Sequence, residues 1–176
     1  MATLYTIGHS TRTLDELVSA LRSHDIETLV DIRAFPMSRR LPHFNRESLE
    51  RSLPENGIRY VWMRALGGYR KATGKDSLHT ALRNASFRNY ADYTLTPEFE
   101  QAAVELVEIA KASRTAYMCA ERVYFRCHRM IVSDWLVAHG HEVLHIDAER
   151  PPRAHRLSAD ARLINGQMLY RGDNLF

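Results

Sequence analysis

Short β-rich runs alternate with amphipathic segments along the first 146 residues of the chain. The runs are rich in Val, Ile, Leu or Tyr and predict five strands, at 3–8, 28–33, 58–63, 115–120 and 142–146. Apolar residues between them recur at helical spacing and predict helices at 13–24, 46–57, 97–112 and 128–140. Thr13 with Glu16 forms a capping-box pattern, Thr96 precedes Pro97, and Gly140 follows the last helix, which are typical helix start and stop signals.

This order of elements predicts the fold class. Strands that alternate with helices form parallel sheets, because each helix carries the chain back to the start of the next strand. We therefore predict an α/β fold, a Rossmann-like three-layer sandwich with a mainly parallel five-stranded sheet and a C-terminal β-hairpin. The hairpin follows from Asn165-Gly166, a strong turn signal between two apolar runs.

Two regions depart from the alternation. Residues 64–95 contain "ALGGYRKATGK" and "SFRNYADY" and predict a long loop with a short helix, a kind of loop that is usually functional or mobile. The chain has no repeat and no interdomain linker, so we predict one domain over 1–176, with a core at about 1–148 and a hairpin extension at about 149–176.

Composition narrows the class of protein. Apolar residues make up 45% and charged residues 26%, as in globular proteins. We find no signal-peptide pattern and no apolar run long enough to span a membrane, and the two cysteines suit a reducing compartment, so we expect a cytoplasmic location and reduced thiols. Net charge is +3, and the basic residues comprise 21 Arg and 3 Lys. GC-rich coding would explain most of the excess of Arg over Lys. The number of arginines therefore indicates no function, and only their positions can.

Polar residues follow the predicted strands. Ligands of open α/β sheets bind beyond the carboxyl ends of the strands. In strand order, the residues there are His9 and Ser10; Asp31, Arg33 and Ser38; Arg64; Cys119, Glu121, Cys127, His128 and Arg129; and His145 and Asp147. We expect His9, Asp31, Arg33, Glu121 and the 127–129 segment to meet in one pocket.

The segments "YTIGHST", "LVDIRAFPMSRRLPHFN", "LGGYRK", "SFRNYADY", "MCAE", "CHR" and "HEVLHI" occur in this order over almost the whole chain. Together they resemble the motifs of the domain of unknown function 488 family. The resemblance implies an α/β fold and a polar site built from His9, Ser10, Asp31, Arg33, Cys119, Glu121, Cys127, His128 and Arg129. Ala34 and the stretch 123–125 depart from the family pattern in loops. The resemblance implies no particular reaction.

Cys127 falls at the start of the helix predicted for 128–140. The helix dipole and three cationic neighbours (Arg126, His128 and Arg129) would stabilise a thiolate there. The thiol is then either a nucleophile or a residue packed against the sheet, whereas Cys119, inside a strand, is interpreted as a core residue. We also expect this helix start, with Arg33 and Arg129, to bind an anion unless Glu121 occupies the same position.

The remaining candidates allow two interpretations each. Glu121 could be a general acid or base, or could orient the surrounding arginines. Asp31 and Arg33 lie on the same side of their strand and could form a structural ion pair, or Arg33 could hold an anion while Asp31 orients His9 or a ribose hydroxyl. His9 could serve as a base beside Ser10. Ser38 lies in a basic loop and is a candidate ligand-binding residue.

A metal site ranks below these possibilities. Cys119, Cys127, His128 and His9 could be combined as ligands, but these four residues show no CxxC, HxH or HExxH spacing among themselves. His139, His141 and His145 are further possible ligands, but His139 and His141 flank Gly140 in a helix–strand turn and are interpreted as surface residues. We therefore predict no metal and no cofactor.

Two function classes remain. The first is an enzyme, a hydrolase or group transferase, acting on a phosphorylated or nucleotide-like small molecule at the carboxyl edge of the sheet. The second is a non-catalytic nucleotide- or nucleic-acid-binding module, which would use the basic loops 38–46 and 67–75 and stack bases on Phe35, Phe44 and Tyr69. The sequence favours the enzyme and leaves the oligomeric state open.

Overall fold

The computed structural model describes residues 1–172 and has a mixed α/β architecture. The β-strands of the main sheet are β1 (Thr3–Gly8), β2 (Thr28–Asp31), β3 (Arg59–Trp62), β4 (Thr115–Cys119), β5 (Glu142–His145) and β6 (Arg153–Ala154). The α-helices are α1 (Leu14–Arg22), α2 (Arg46–Glu55), α3 (Ala85–Tyr93), α4 (Pro97–Ala112) and α5 (Arg129–Ala138). The predicted α/β class, the parallel strands and the short helix in the 64–95 region are confirmed.

The strand order is β3-β2-β4-β1-β5-β6, and the first five strands are parallel. The predicted strand number of five is one too low. β6 pairs antiparallel with β5 through only two residues, and a two-residue strand has no periodicity for the sequence to reveal.

Helices cover both faces of the sheet and bury two separate cores. On one face, α1 and α2 pack against alternate strand residues such as Tyr5, Ile7 and Leu29. On the other face, α3, α4 and α5 pack against the intervening residues, such as Leu4, Val30 and Tyr117. This arrangement is the predicted three-layer sandwich, and it assigns every side chain at a strand end to one face or the other.

The C-terminal hairpin consists of β7 (Ala161–Ile164) and β8 (Gln167–Tyr170), joined by Asn165-Gly166 as predicted. Both turn residues have positive φ, which a two-residue hairpin turn requires. Ala161, Met168 and Tyr170 are buried in the core beneath α5. The extension therefore forms part of the packed structure. No helix among residues 1–172 is long and apolar enough to cross a membrane.

Candidate functional site

The carboxyl ends of four strands lie side by side at one edge of the sheet. The strand register pairs Gly8 with Cys119, Asp31 with Met118, and Thr6 with His145. The predicted site residues therefore share one edge. Side-chain alternation divides them between the two faces of the sheet and so into two groups.

The first group lies on the α2 face and is centred on a buried ion pair between Asp31 and Arg33. Nε and Nη2 of Arg33 donate to the two carboxylate oxygens at 2.9 and 2.6 Å. Nη2 also donates to the carbonyl oxygen of Phe44 at 2.7 Å, and the Tyr60 hydroxyl donates to Asp31 at 2.6 Å. These contacts hold the loop after β2, as the structural interpretation of the pair requires. Because Nε and Nη2 of Arg33 already donate to Asp31, this pair of N–H groups cannot also bind an external anion.

His9 completes this group. Its Nδ1 lies 2.8 Å from the carbonyl oxygen of Ser10 and therefore carries the proton, so Nε2 accepts from Nη1 of Arg33 at 3.2 Å. The ring packs on Phe44 with centroids 4.3 Å apart. Burial, followed by the opposing hydrogen bond to Ser10 and the charge of Arg33, lowers the pKa of His9 to about 4. His9 is thus a neutral, internally bonded imidazole in this structure.

The two candidate serines make backbone or loop contacts. Ser10 adopts a positive φ of 51°, and its backbone N–H donates to the carbonyl oxygen of Ala120. Ser38 is bound within its own loop, where its hydroxyl accepts from the backbone of Leu41 and its N–H donates to Asn45. Ser10 therefore joins its loop to the loop after β4, and Ser38 stabilises the conformation of its own loop.

The second group lies on the α5 face and contains Cys119, Cys127 and His128. Their Sγ, Sγ and Nδ1 atoms all lie within 4.8 Å of one another, and Cys119 Sγ is 3.9 Å from His128 Nδ1. His128 Nε2 lies 2.9 Å from the carbonyl oxygen of Ile32 and donates to it, so Nδ1 presents a lone pair to the sulfur atoms. Both cysteines are free and half-buried, as expected of reduced thiols. We call these three residues the thiol cluster.

Arg129 lies against the thiol cluster and is 1% exposed. Its guanidinium donates to Cys127 Sγ at 3.4 Å, to Thr6 Oγ1 at 3.1 Å, and to the carbonyl oxygens of Glu121 and Arg122. Within residues 1–172 it has no carboxylate partner. A buried guanidinium without a carboxylate leaves a positive charge to be balanced by the thiols or by a ligand.

The start of α5 is occupied by a thiol and not by Glu121. Cys127 Sγ accepts from the backbone N–H of Arg129 at 3.4 Å. The exposed Glu121 carboxylate turns back to the N–H of Val123, at 3.4 Å. A carboxylate therefore does not fill the predicted anion cradle, but Cys127 does, and the guanidinium of Arg129 points into the protein.

The pKa values of the two thiols move in opposite directions. The pKa of Cys119 is lowered to about 7, first because Cys127 donates a hydrogen bond to it, and then, against burial, because Arg129 and two backbone N–H groups stabilise the thiolate. The pKa of Cys127 is raised, first by the same hydrogen bond and then by burial. The two thiols titrate as a coupled pair whose first proton is lost more readily than from a free thiol, beside the charge of Arg129. Two sulfur atoms and a free imidazole lone pair could also hold a soft divalent cation.

Glycines allow the loops to approach this group. A Cβ on Gly8 would lie 1.9 Å from the carbonyl oxygen of Glu121, so only glycine lets the loop after β4 reach Arg129. A Cβ on Gly68 would lie 3.1 Å from His128 Nδ1. The Gly67-Gly68 segment therefore covers His128 with bare backbone.

Sequence reasoning missed a third set of residues, which continues the α5 face. Asp134 is fully buried and accepts from His155, from Ser158 and from the Tyr170 hydroxyl. His155 Nδ1 in turn lies 2.9 Å from Nε2 of His145. His145 is 8% exposed. Its position after β5 was a usable signal, but nothing in the sequence linked it to its partners in the tail.

Acid is expected to destabilise the fold through His9 and His145. Burial, followed by the charges of His155 and Arg129, lowers the pKa of His145 to about 3. In the unfolded chain both imidazoles become protonated near pH 6.5. In the folded chain neither of them becomes protonated until the pH falls to about 4. Stability is therefore complete above pH 6.5 and falls below it. By pH 5.5 each histidine should cost about 1.4 kcal/mol.

Urea unfolding at pH 7.0 and 5.5 measures this loss. His9→Gln and His145→Gln should each reduce the change in the free energy of unfolding between these two pH values by ~1.4 kcal/mol, because each removes the uptake of about one proton on unfolding. An unchanged pH dependence in both variants would contradict the assignment of buried neutral rings.

Two surface depressions lie away from the thiol cluster. The larger, of 660 Å³, is at the amino-terminal edge of the sheet, between the starts of β1 and β5 and the end of α4. The second, of 430 Å³, is lined by Arg12, Glu16 and residues 148–150. Neither is lined by a thiol or by a buried histidine. We therefore choose the thiol cluster as the candidate site because of its chemistry, and not because it lies in a depression.

Comparison with known families identifies the chain's relatives. The model of the family described as "Domain of unknown function DUF488" matches residues 13–136, well over half of the chain. That range includes Asp31, Arg33, the thiol cluster and Arg129, and excludes His9, Ser10 and the tail. No curated protein and no solved structure matches the chain. The chain belongs to the domain of unknown function 488 family.

Proposed function

We propose that this protein is an enzyme, a hydrolase or group transferase, that acts on a phosphorylated or nucleotide-like small molecule at the carboxyl edge of the sheet. The observation that carries the proposal is the thiol cluster beside Arg129. Two sulfur atoms and an imidazole lone pair meet there next to a buried cation that has no carboxylate partner among the residues the structure describes. Such a convergence of reactive groups and uncompensated charge is typical of active sites.

The charges around the cluster support an anionic substrate. Arg129 supplies a fixed positive charge from below. In the loops after β2 and β4, Arg39, Arg40 and Arg126 are exposed, and among the described residues their guanidinium groups have no hydrogen-bond or ion-pair partner. Arginine presents a planar fork that suits phosphate oxygens. We therefore propose that these three arginines, and not Arg33, contact the substrate.

The proposed reaction is a displacement at a phosphoryl or similar group. The bond from that group to its leaving oxygen breaks, and a bond forms to water in hydrolysis or to an acceptor hydroxyl in transfer. The proton that the nucleophile loses goes to the leaving oxygen, so atoms and charge balance. The positive charge of Arg129 would favour the negative charge that develops on the transferred group.

Activity measurements with defined probes test the proposal. Purified protein is incubated with p-nitrophenyl phosphate, bis(p-nitrophenyl) phosphate and ATP, with and without an acceptor alcohol. We expect turnover of at least one probe, reduced about 100-fold or more in Cys119→Ser and Cys127→Ser. Ser52→Ala is the matched control, because this buried hydroxyl in α2 has no hydrogen-bond partner. Turnover of none of these probes, or turnover that survives both cysteine substitutions, would count against the enzyme.

A second candidate function rests on a different observation. Phe35 and Tyr69 are 65% and 89% exposed, and their rings lie 6.0 Å apart. They follow Ala34 and Gly68, which lie next to the thiol cluster through the contact of Gly68 with His128. Two exposed rings beside basic loops favour base stacking. Phe44, in contrast, is fully buried and cannot stack on a base, which corrects that part of the prediction.

The nucleotide- or nucleic-acid-binding module is tested by fluorescence anisotropy with a single-stranded oligonucleotide at two salt concentrations. A binding module should bind more weakly at high salt and lose about 10-fold or more in affinity in Phe35→Ala/Tyr69→Ala. Binding by this double variant equal to wild type would exclude the two rings as a platform.

A further inference from the structure

We propose that Cys119, Cys127 and His128 form a binding site for one Zn²⁺ ion, with a fourth coordination position left open. The proposal adds a metal to the site proposed above, and only the role of that metal in catalysis rests on the proposed function. The binding itself follows from the donor atoms, their geometry and their surroundings.

The donor atoms are close to the arrangement that zinc requires. In a tetrahedral site, Zn–S bonds of about 2.3 Å and Zn–N bonds of about 2.0 Å place ligand atoms about 3.5–3.8 Å apart. The Cys119 Sγ to His128 Nδ1 distance is 3.9 Å, and no two of the three ligand atoms are farther apart than 4.8 Å. Side-chain rotations that close the larger gap by about 1 Å are enough to complete the geometry.

The backbone explains how two adjacent residues can reach the same ion. Cys127 is extended, with φ −140° and ψ 172°, and His128 is helical, with φ −60° and ψ −12°. The change of conformation between them turns both side chains toward the end of β4, where Cys119 lies. For this reason the site carries none of the familiar ligand spacings and was ranked low from the sequence.

The imidazole is already oriented as a ligand. His128 Nε2 donates to the carbonyl oxygen of Ile32 at 2.9 Å, which fixes the proton on Nε2 and leaves Nδ1 free to coordinate. A backbone carbonyl on the far nitrogen is the usual second contact of a zinc-binding histidine. The second sulfur is oriented as well, because Cys127 Sγ accepts from N and Nε of Arg129 at 3.4 Å each.

Charge and ligand number favour an open site over a structural one. The group contains three protein ligands within residues 1–172, whereas structural zinc sites use four. Two thiolates cancel the charge of Zn²⁺, and buried Arg129 then leaves a net charge of +1 at the centre. An anionic fourth ligand, either hydroxide or an oxygen of the substrate, would neutralise it. The metal would therefore supply both a Lewis acid and an anion site.

Cobalt is a probe with a readout that does not depend on activity. Reduced, chelator-treated protein is titrated with Co²⁺, and we expect one equivalent to produce thiolate-to-cobalt charge-transfer absorption and the strong visible bands of tetrahedral Co²⁺. Zn²⁺ should then displace the cobalt and remove both. Cys119→Ser and Cys127→Ser should each weaken binding about 100-fold or more and lower the charge-transfer absorption, while His141→Gln should change neither.

A second measurement needs no variant and avoids any question of folding. The chain contains only two cysteines, so alkylation with iodoacetamide can be counted by mass spectrometry. One equivalent of Zn²⁺ should slow modification of both thiols together. Absence of the cobalt bands in reduced, folded protein, binding that persists in both serine variants, or zinc that protects neither thiol would overturn the site.

The two proposals can fail separately. Cobalt binding at the thiol cluster, with turnover of none of the phosphate probes, would retain the metal site and remove the enzyme. Turnover that depends on Cys119 but withstands chelators, with no cobalt absorption, would retain the enzyme and remove the metal.

Discussion

Replacing Asp31 with alanine is expected to lower the free energy of unfolding by about 3–5 kcal/mol. The side chain of Asp31 is fully buried and balances the charge of Arg33, which is itself 6% exposed. Without the carboxylate, Nε and one Nη2 contact of Arg33 lose their acceptor, and the Tyr60 hydroxyl loses its acceptor too. A buried cation left without its partner is among the most destabilising changes a single substitution can make.

Urea denaturation followed by circular dichroism measures the effect. Glu50→Ala is the matched control, because it also removes a carboxylate from an arginine at 2.6 Å, but in the exposed pair of Arg46 and Glu50. That variant should lose less than about 1 kcal/mol. If the two variants lose equal stability, the Asp31–Arg33 pair is not the buried structural link described above.

The same comparison bears on the site. If Asp31→Ala unfolds part of the loop after β2 but leaves the reactivity of Cys119 unchanged, the α2-face group supports the loop and takes no part in chemistry. The contact from His128 Nε2 to the carbonyl oxygen of Ile32 is one link by which the loss could reach the thiol cluster. The backbone bond from Ile32 to Met118, next to Cys119, is another. We expect both links to hold, because Ile32 is itself buried in the core on the α5 face.

The sequence predicted the frame of the fold well because its signals are local. β1 and α4 occur at the predicted residues, and the caps at Thr13 and Thr96 accept hydrogen bonds from Glu16 and Phe99 as the patterns indicated. A cap, a proline or an Asn-Gly turn acts within four residues, so neighbouring positions determine it. β6 has no such signal and was missed.

The sequence predicted which edge of the sheet carries the candidate residues, but not how their side chains are grouped there. Alternation along each strand shows which side chains share a face, but not which helices cover that face. The separation of Asp31 and Arg33 from Cys127 and Arg129 therefore followed only from the packing of α2 and α5. Cys119 was interpreted as a core residue, although it belongs to the thiol cluster, since a half-buried strand end cannot be distinguished from a buried strand position by periodicity.

The contacts of the tail were beyond prediction for a related reason. Hydrogen bonds from His155, Ser158 and Tyr170 to Asp134 span 21 to 36 residues of sequence. No local pattern distinguishes an aspartate in a helix that accepts such bonds from one that faces solvent. The hairpin was predicted correctly as an element, but the hydrogen bonds that join the tail to Asp134 of α5 were not.

Removal of that carboxylate should release the tail. Asp134→Ala is expected to lower the free energy of unfolding by about 3–5 kcal/mol, because it leaves a buried imidazole, a hydroxyl, a backbone N–H and the Tyr170 phenol without their acceptor. The apolar contacts of Ala161, Met168 and Tyr170 beneath α5 would remain, so the hairpin should loosen before the sheet unfolds.

Limited proteolysis with trypsin separates local release from global unfolding. Exposed arginines at 153, 156 and 162 offer cleavage sites in the tail. In Asp134→Ala these sites should be cut at least about 10-fold faster than in wild type, while the 1–148 core stays intact. A tenfold faster cut corresponds to a fall of about 1.4 kcal/mol in the free energy of opening the tail.

Ser133→Ala is the control: it removes the neighbouring buried hydroxyl, which bonds to Tyr117 and to the backbone of Arg129 but not to the tail. It should cost about 1 kcal/mol and leave the tail protected. Equal cleavage of tail and core in Asp134→Ala would show that the carboxylate stabilises the whole fold and does not act as the anchor of the hairpin.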